Sequence, residues 1–366
     1  MLIGLGSRLR FWEVIASIEF LFSLWRRTRP AVRQAKKQRA DFYREAWEAA
    51  AAAKGATVRS LTDDLLELTR DGDRVRVFRN YTPLDDPNTL RLAGDKALVL
   101  SLLEEAGLPV TVHRTFRLKK LTPALEFLAD ADGPCVVKPA GGTGAGQGVT
   151  TGIQKRSQLV RAAASTGVLP GKTLLIEREV PGENYRLLLL DGELLDAVRR
   201  RAPSVTGDGT SSIRKLIERS NEERLERGFA VAQTVLEIDR DLRQTLDRQG
   251  LNLDHIPAEG TEVPLKTAIN SNTAAENESV LGVVCPAIIE SAARAVDLVG
   301  VRLAGVDIIT TDLATSLDES GGVILEVNTT PGFHFHYHRR GAPLPVAELV
   351  LDAAFATDPA ARNLSR

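Results

Sequence analysis

The sequence predicts a mixed α+β protein built from more than one packed unit, and three observations carry that expectation. Its 366 residues exceed the roughly 100–200 of a typical single domain. Short alternating or apolar segments bounded by turn residues recur along the chain, as half-buried and buried strands require. Near the C-terminus two apolar segments, 303–310 and 322–328, are separated by the turn-like stretch Asp318–Gly322, which makes them neighbouring antiparallel strands. Composition agrees: 43% hydrophobic and 26% charged residues suit a folded globular chain and exclude wholesale disorder. The 47 Lys and Arg against 48 Asp and Glu leave a net charge of −1, so no nucleic-acid partner is expected, because neutralising phosphates needs a basic face. Two cysteines, Cys135 and Cys285, make neither a disulfide framework nor a Cys-based zinc site, and a cytoplasmic setting is expected.

Taken in order, residues 1–40 form an apolar helix and basic segment carrying nine Lys/Arg and two Glu. The apolar run Phe11–Trp25, interrupted by Glu13 and Glu19, precedes a cluster of Arg26, Arg27, Arg29, Arg33, Lys36, Lys37 and Arg39. At 15 residues with two carboxylates it is too short and polar to span a bilayer, and its charge lies on the wrong side for a signal peptide. A membrane-surface helix through 11–40 is one reading. The favoured one is a helix packed on the protein body or on another subunit. Residues 30–54 predict a long helix stopped by Gly55, and 41–94 continue as a small α/β region with strands at 57–61 and 74–79. The next unit, 95–172, opens with a helix over Lys96–Ala106 ended by Gly107 and Pro109. Its short buried strand Pro134–Pro139 runs straight into a glycine-rich loop, 141–148. Residues 173–345 hold strands at 173–178, 185–190 and 194–199, polar helical sequence over 211–249 and a loop-like Asn270–Ser279. A helix over Pro286–Val299 then leads to the final strand pair. Residues 346–366 end the chain as helix and tail.

The loop 141–148, with Gly142, Gly144, Gly146 and Gly148, can bring backbone N–H groups around an anion without Cβ interference. It lacks the Gly-Lys-Ser/Thr end of a P-loop and leads to a strand, which excludes a dinucleotide fingerprint. Lys138 directly before it would place an ammonium beside the same phosphates, or else snorkel at the strand end. Strand alternation puts Glu326 and Asn328 on one face, with Asp307 able to meet them from the adjacent strand. Three oxygen ligands among apolar residues are costly unless paired or metal-bound, and hard oxygens select Mg²⁺ on nucleotide phosphates. His334, His336 and His338 would share one face at roughly 7 Å intervals if extended. They could then hold a transition metal, contact an anionic substrate, or sit in a hydrated loop. Arg199-Arg200-Arg201 could bind a carboxylate or phosphate, or form a solvated edge.

In their order these pieces resemble the ATP-grasp superfamily, with the likeness strongest to the ATP-grasp portion of cyanophycin synthetases and extending to glutathione synthetase and D-alanine–D-alanine ligase. The likeness runs from about Asp95 to His336. It rests on Asp95-Lys96, Val137-Lys138-Pro139 with the glycine loop, Val198-Arg199-Arg200 followed by Val205–Thr210, and Glu326-Val327-Asn328-Thr329-Thr330-Pro331-Gly332. The resemblance implies an ATP-grasp fold, two α+β lobes clasping ATP, and an ATP- and Mg²⁺-dependent carboxylate–amine ligase, with Mn²⁺ as an alternative metal. Amino acids or short peptides would be the substrates, activated as acyl phosphates, and a homo-oligomer would be the assembly. Lys96 and Lys138 would hold the nucleotide phosphates, loop 141–148 would close as a lid, and Glu177 with the backbone near Val180 would meet the adenine. Asp307, Glu326 and Asn328 would hold the metals.

Departures from the family pattern bear on the remaining assignments. At the ribose position this chain offers Glu183 and Asn184. Where some related ligases place an arginine two residues before the metal aspartate, it has Gly305, so oxyanion stabilisation is expected from Arg186, Arg199 or Arg200. Where cyanophycin synthetases carry an arginine shortly after Pro-Gly, His334 stands here, and with His336 it is expected to face the substrate. The chain ends at Arg366 without the second ligase domain of those enzymes, so it is not expected to make their alternating polymer alone. The alternative function is a nucleotide-binding regulatory or partner-dependent subunit on the same scaffold.

Overall fold

A 24-residue helix, α1 (Pro30–Ala53), begins the main described region and ends at Gly55, whose φ of 66° suits glycine. The computed structural model describes residues 30–141, 148–166, 173–227, 235–267, 277–337 and 344–356, together with Val14. On α1, Tyr43, Trp47, Ala50 and Ala51 recur at helical spacing and are all buried. They pack on an antiparallel meander of β1 (Thr57–Ser60), β2 (Leu65–Arg70) and β3 (Asp73–Phe78). The sequence pattern predicts β1 and β3 but not β2, because Leu65-Leu66-Glu67-Leu68 does not alternate. Glu67 is buried there because Arg76 donates to it from β3 at 3.0 Å. The continuous helix α1 runs across residue 40, where the sequence reading divides its first two units.

Next come α2 (Pro87–Ala93), capped by Asp86, and α3 (Lys96–Glu105), capped by Asp95, whose Oδ1 accepts from Leu98 N at 3.1 Å. The following lobe contains β4 (His113–Arg117), α4 (Thr122–Asp130), β5 (Cys135–Pro139), β6 (Thr150–Ile153), α5 (Arg156–Thr166) and β7 (Thr173–Arg178). Its sheet has the order β4-β7-β5-β6, antiparallel throughout. Phe127 of α4 and Leu159 of α5 cover one face against Val137 and Ile176. Alternation therefore puts Val136, Lys138, Leu175 and Glu177 on the other face. There Leu175 meets Leu100 of α3, which joins this lobe to the rest.

The larger lobe follows with β8 (Glu183–Leu190), β9 (Glu193–Arg200), β10 (Ser204–Thr206), α6 (Ile213–Arg227), α7 (Arg240–Arg248), β11 (Glu262–Pro264) and β12 (Asn277–Ser279). The segment from β10 to β11 is an excursion with its own core, including Ile213, Leu242 and Val263. The helical stretch expected over 211–249 thus comprises two described helices, and 228–234 lie outside the described residues. Then come α8 (Pro286–Val299), β13 (Leu303–Thr310), α9 (Leu317–Ser320), β14 (Val323–Thr329), α10 (His334–Tyr337) and α11 (Val346–Ala356). The turn expected at 318–322 is in fact the short helix α9, ended by Gly321.

The five-stranded antiparallel sheet has the order β12-β9-β8-β13-β14. Ile288, Ala292 and Val296 of α8 pack on Leu187, Val306 and Val327 on one face. The opposite face carries Leu188 and Leu303 at one end, covered by α1 and α11, and the charged residues of the site at the other. Gly300, φ 76°, ends α8 in the left-handed region. Gly300→Ala is expected to cost about 1–2 kcal/mol for placing a Cβ in that conformation, read as a lower urea midpoint with an unchanged slope. Among the described residues no helix is long and apolar enough to cross a membrane.

Candidate active site

Period-2 alternation and the β13–β14 register build the centre of the site. Asp307 pairs directly across from Glu326, and Gly305 from Asn328, so all three oxygen-bearing side chains share the face opposite α8. On the other side of β13, Arg186 of β8 pairs with Asp307. Its guanidinium forks onto the carboxylate, Nε to Oδ1 and Nη2 to Oδ2, both at 2.7 Å. Arg200 Nη1 donates to Oδ2 at 3.4 Å, and the Asn328 amide donates to Oδ2 and to the Gly305 carbonyl at 3.2 Å. Lys96, the first residue of α3, forms an ion pair with Glu326. A Cβ at Gly305 would lie 3.3 Å from Cβ of Pro331 and 3.4 Å from Cδ and Nε of Arg186, so a side chain there would crowd both. Arg186, reaching over from β8, lies beside that position of β13.

The electrostatics favour an anion. Lys96, Arg186 and Arg200 face two carboxylates, leaving an excess of positive charge. Burial would raise Asp307, but the charges of Arg186 and Arg200 outweigh it and hold its carboxyl below the usual range. Burial, with the like charge of Arg186, pulls Arg200 down to about 10, so both guanidiniums remain charged near neutrality. Among the described residues no three His, Cys, Asp or Glu side chains gather into a metal cage. The hard oxygen donors together are Asp307, Glu326 and Asn328, a set that fits Mg²⁺ better than a softer metal.

The smaller sheet supplies a second buried pair. Lys138 Nζ lies 2.7 Å from Glu177 Oε1, with side-chain exposures of 11% and 5%. Among the described residues, Glu177 Oε2 is buried without a hydrogen-bond partner. A buried acceptor left unpaired is costly, and it fits the exocyclic amino group of a purine. That orphaned oxygen, with the cationic excess beside oxygen donors, is a fit to an ATP–metal complex.

Other expected residues are distributed differently. Arg199 is next to Arg200 on β9, so it points to the opposite face, where it meets Glu183 at 3.3 Å and Glu278 at 3.8 Å. It does not join Arg186 and Arg200. Glu183 is likewise on that face and accepts from the Tyr185 hydroxyl at 3.0 Å. Burial, then this acceptor, pushes Tyr185 up to about 12. Asn184 shares the face of Arg186, and Val180 is half-buried in the otherwise exposed link between β7 and β8. Gly142, Gly144 and Gly146 lie outside the described residues; Gly148 has φ 79°, and its carbonyl accepts from Thr166 Oγ1 at 2.8 Å.

The extended form of the histidine row is not adopted by its described residues. His334–Tyr337 form α10, with His336 N donating to Phe333 O at 2.9 Å, and His338 is outside the described residues. Burial of Phe333 and Phe335 turns the chain there rather than extending it. His334 is 4% exposed against Phe42 and Phe335, and burial with the nearby charge of Arg39 keeps it neutral. His336 Nδ1 lies 2.7 Å from Asp196 Oδ2, both fully buried. Neither imidazole lies on an open surface. Sequence reasoning missed Asp196 and Phe335; a lone acid inside an apolar strand, Leu194-Leu195-Asp196-Ala197-Val198, was the available signal for the first.

No family model matches the chain. It is 32% identical over 276 residues to a cyanophycin synthetase of Trichormus variabilis, covering 75% of this chain and 30% of that protein. It is 33% identical over 277 residues to that of Geminocystis herdmanii, covering 73% and 30%. A bifunctional glutathione biosynthesis protein of Streptococcus agalactiae is 25% identical over 338 residues, covering 84% of this chain and 44% of the relative. The chain therefore spans less than half the length of these relatives. Among solved structures, a bifunctional glutathione synthetase from Pasteurella multocida superimposes with a TM-score of 0.54 at 21% identity, over 82% of this chain and 41% of that one. The two share their fold.

Proposed function

We propose that this chain, a member of the ATP-grasp superfamily, is an ATP- and Mg²⁺-dependent ligase that joins the carboxylate of one amino acid or short peptide to the amine of another. In the balanced reaction a carboxylate oxygen takes the terminal phosphoryl group of ATP, releasing ADP. The amine then attacks the acyl carbon, phosphate leaves with the C–O electron pair, and the nitrogen loses a proton.

The observation that supports this most is the convergence of Arg186, Arg200, Lys96, Asp307, Glu326 and Asn328 on one sheet face. The bound nucleotide and metal supply the phosphoryl group and neutralise its charge. Asp307, Glu326 and Asn328 would hold the metal, with Mn²⁺ an acceptable substitute. Lys96 and Lys138 would orient the phosphates, Glu177 would accept from the base, and Asn184 is the better placed ribose candidate. Arg186 and Arg200 present fixed positive charge to the oxyanion that develops during transfer, which is what such a reaction needs from a protein. The site lacks any need for a nucleophilic side chain. A homo-oligomer in the cytoplasm is the setting proposed. The relatives named above have such names as synthetases, and that likeness supports the same class of reaction here.

The test is product analysis with ATP, Mg²⁺ and pooled amino acids and dipeptides. ADP together with a new condensation mass is expected; AMP with pyrophosphate would contradict the mechanism. Glu326→Ala is expected to lower turnover at least about a hundredfold, the scale for losing one preorganised electrostatic contact. Unchanged product formation by that variant would remove the metal assignment.

A further inference from the structure

Both arginines of the site lie over the ring of Phe335. The guanidinium carbon of Arg186 is 5.7 Å from the ring centroid and that of Arg200 5.1 Å, within the range of a cation–π contact. The ring is 3% exposed, and such contacts strengthen when water is excluded. Two like-charged, buried guanidiniums repel each other, and here one carboxylate, Asp307, accepts from both. Were that carboxylate to turn to another cation, the arginines would need a second surface to keep them side by side.

The ring is itself firmly held. His336, the next residue, is fixed to Asp196 at 2.7 Å. Phe333 packs edge-on against Tyr43 at 5.7 Å and Trp47 at 5.6 Å. His334 lies 4.3 Å from Phe335, centroid to centroid. The short helix α10 thus pins one aromatic face between the N-terminal core and the sheet.

We propose that Phe335 is a positioning residue whose ring holds the Arg186 and Arg200 guanidiniums together as a fork for a phosphate-bearing substrate group. The identity of that group rests on the ligase reading; the fork itself rests on the ring and the two arginines. An aliphatic side chain would fill the volume but present no negative π face.

Phe335→Leu and Phe335→Tyr test this through two readouts on the full chain: calorimetric titration with inorganic phosphate in Mg²⁺, and steady-state ADP release. Phe335→Leu is expected to lower phosphate affinity about fivefold and kcat about tenfold, the scale of losing two such contacts, with KM for ATP within about twofold. Phe335→Tyr is expected to restore both to within about twofold. Equal behaviour of the Leu and Tyr variants overturns the proposal, as does a wild type that binds no phosphate. If Phe335→Leu lowers the folded fraction seen in thermal unfolding, Phe335→Met provides the same comparison with an unbranched chain. A wild type that shows this phosphate pattern but no turnover would leave the fork standing and remove the ligase reading alone.

Discussion

Asp307→Ala is expected to abolish nucleotide-dependent turnover and to cost about 3–5 kcal/mol of stability, the range for breaking a buried ion pair from one side. The argument lies in what remains. Arg186 and Arg200 have side-chain exposures of 10% and 5%, and Asp307 is the acceptor they share. Without it two buried positive charges face each other, with Glu326 already paired to Lys96. The loss has a defined pH dependence. The folded carboxyl is held below its ordinary value by Arg186 and Arg200 despite burial. Its contribution is therefore complete above the unfolded value of about 4 and declines as pH falls through the lower folded value. Urea denaturation of wild type and variant should show a constant gap near neutrality that narrows below about pH 4. A gap under about 1 kcal/mol at neutral pH would mean that the arginines are satisfied by other groups.

Asp307, Glu326 and Asn328 were legible because the rules that place them are local. A hairpin and period-2 alternation suffice to bring Asp307, Glu326 and Asn328 to one face, and the register bears this out. The arginines were only half legible. Alternation alone separates Arg199 from Arg200, but which of them joins Arg186 depends on the pairing of β9 with β8 across the sheet. The histidines show the opposite failure. A four-residue helix is too short to leave a periodic trace, so the alternate spacing of the histidines does not tell a strand from a helical turn. Burial of Phe333, beside the first residue of that helix, depends on Tyr43 and Trp47 of α1, about 290 residues earlier in the chain. β2 escaped for a related reason: its buried glutamate is tolerated only because arginines on neighbouring strands meet it. The lobe carrying Lys138 was recognisable from the strand and glycine loop together, but its pairing with Glu177 joins strands 34 or more residues apart, from Pro139 to Thr173.

That pair gives the second large effect. Lys138→Met is expected to cost about 3–5 kcal/mol, because Glu177 would keep a buried charge with neither oxygen paired among the described side chains. Glu177→Gln alone should cost less, since a neutral amide needs no counter-charge. The double variant Lys138→Met/Glu177→Gln should recover most of the stability lost by the lysine change, the non-additivity expected of two groups in contact. Nucleotide binding should not recover. If Lys138 orients phosphates and Glu177 accepts from the base, each substitution removes a separate ligand contact, and the double variant loses both whatever happens to folding. Denaturation midpoints and calorimetric affinity for Mg²⁺ with a non-hydrolysable ATP analogue separate the two roles. Restored stability with affinity still down about a hundredfold, as the loss of two charge-assisted contacts implies, would identify the pair as a nucleotide clamp. Affinity that returned in step with stability would make it a structural ion pair and would move the nucleotide elsewhere on the lobe.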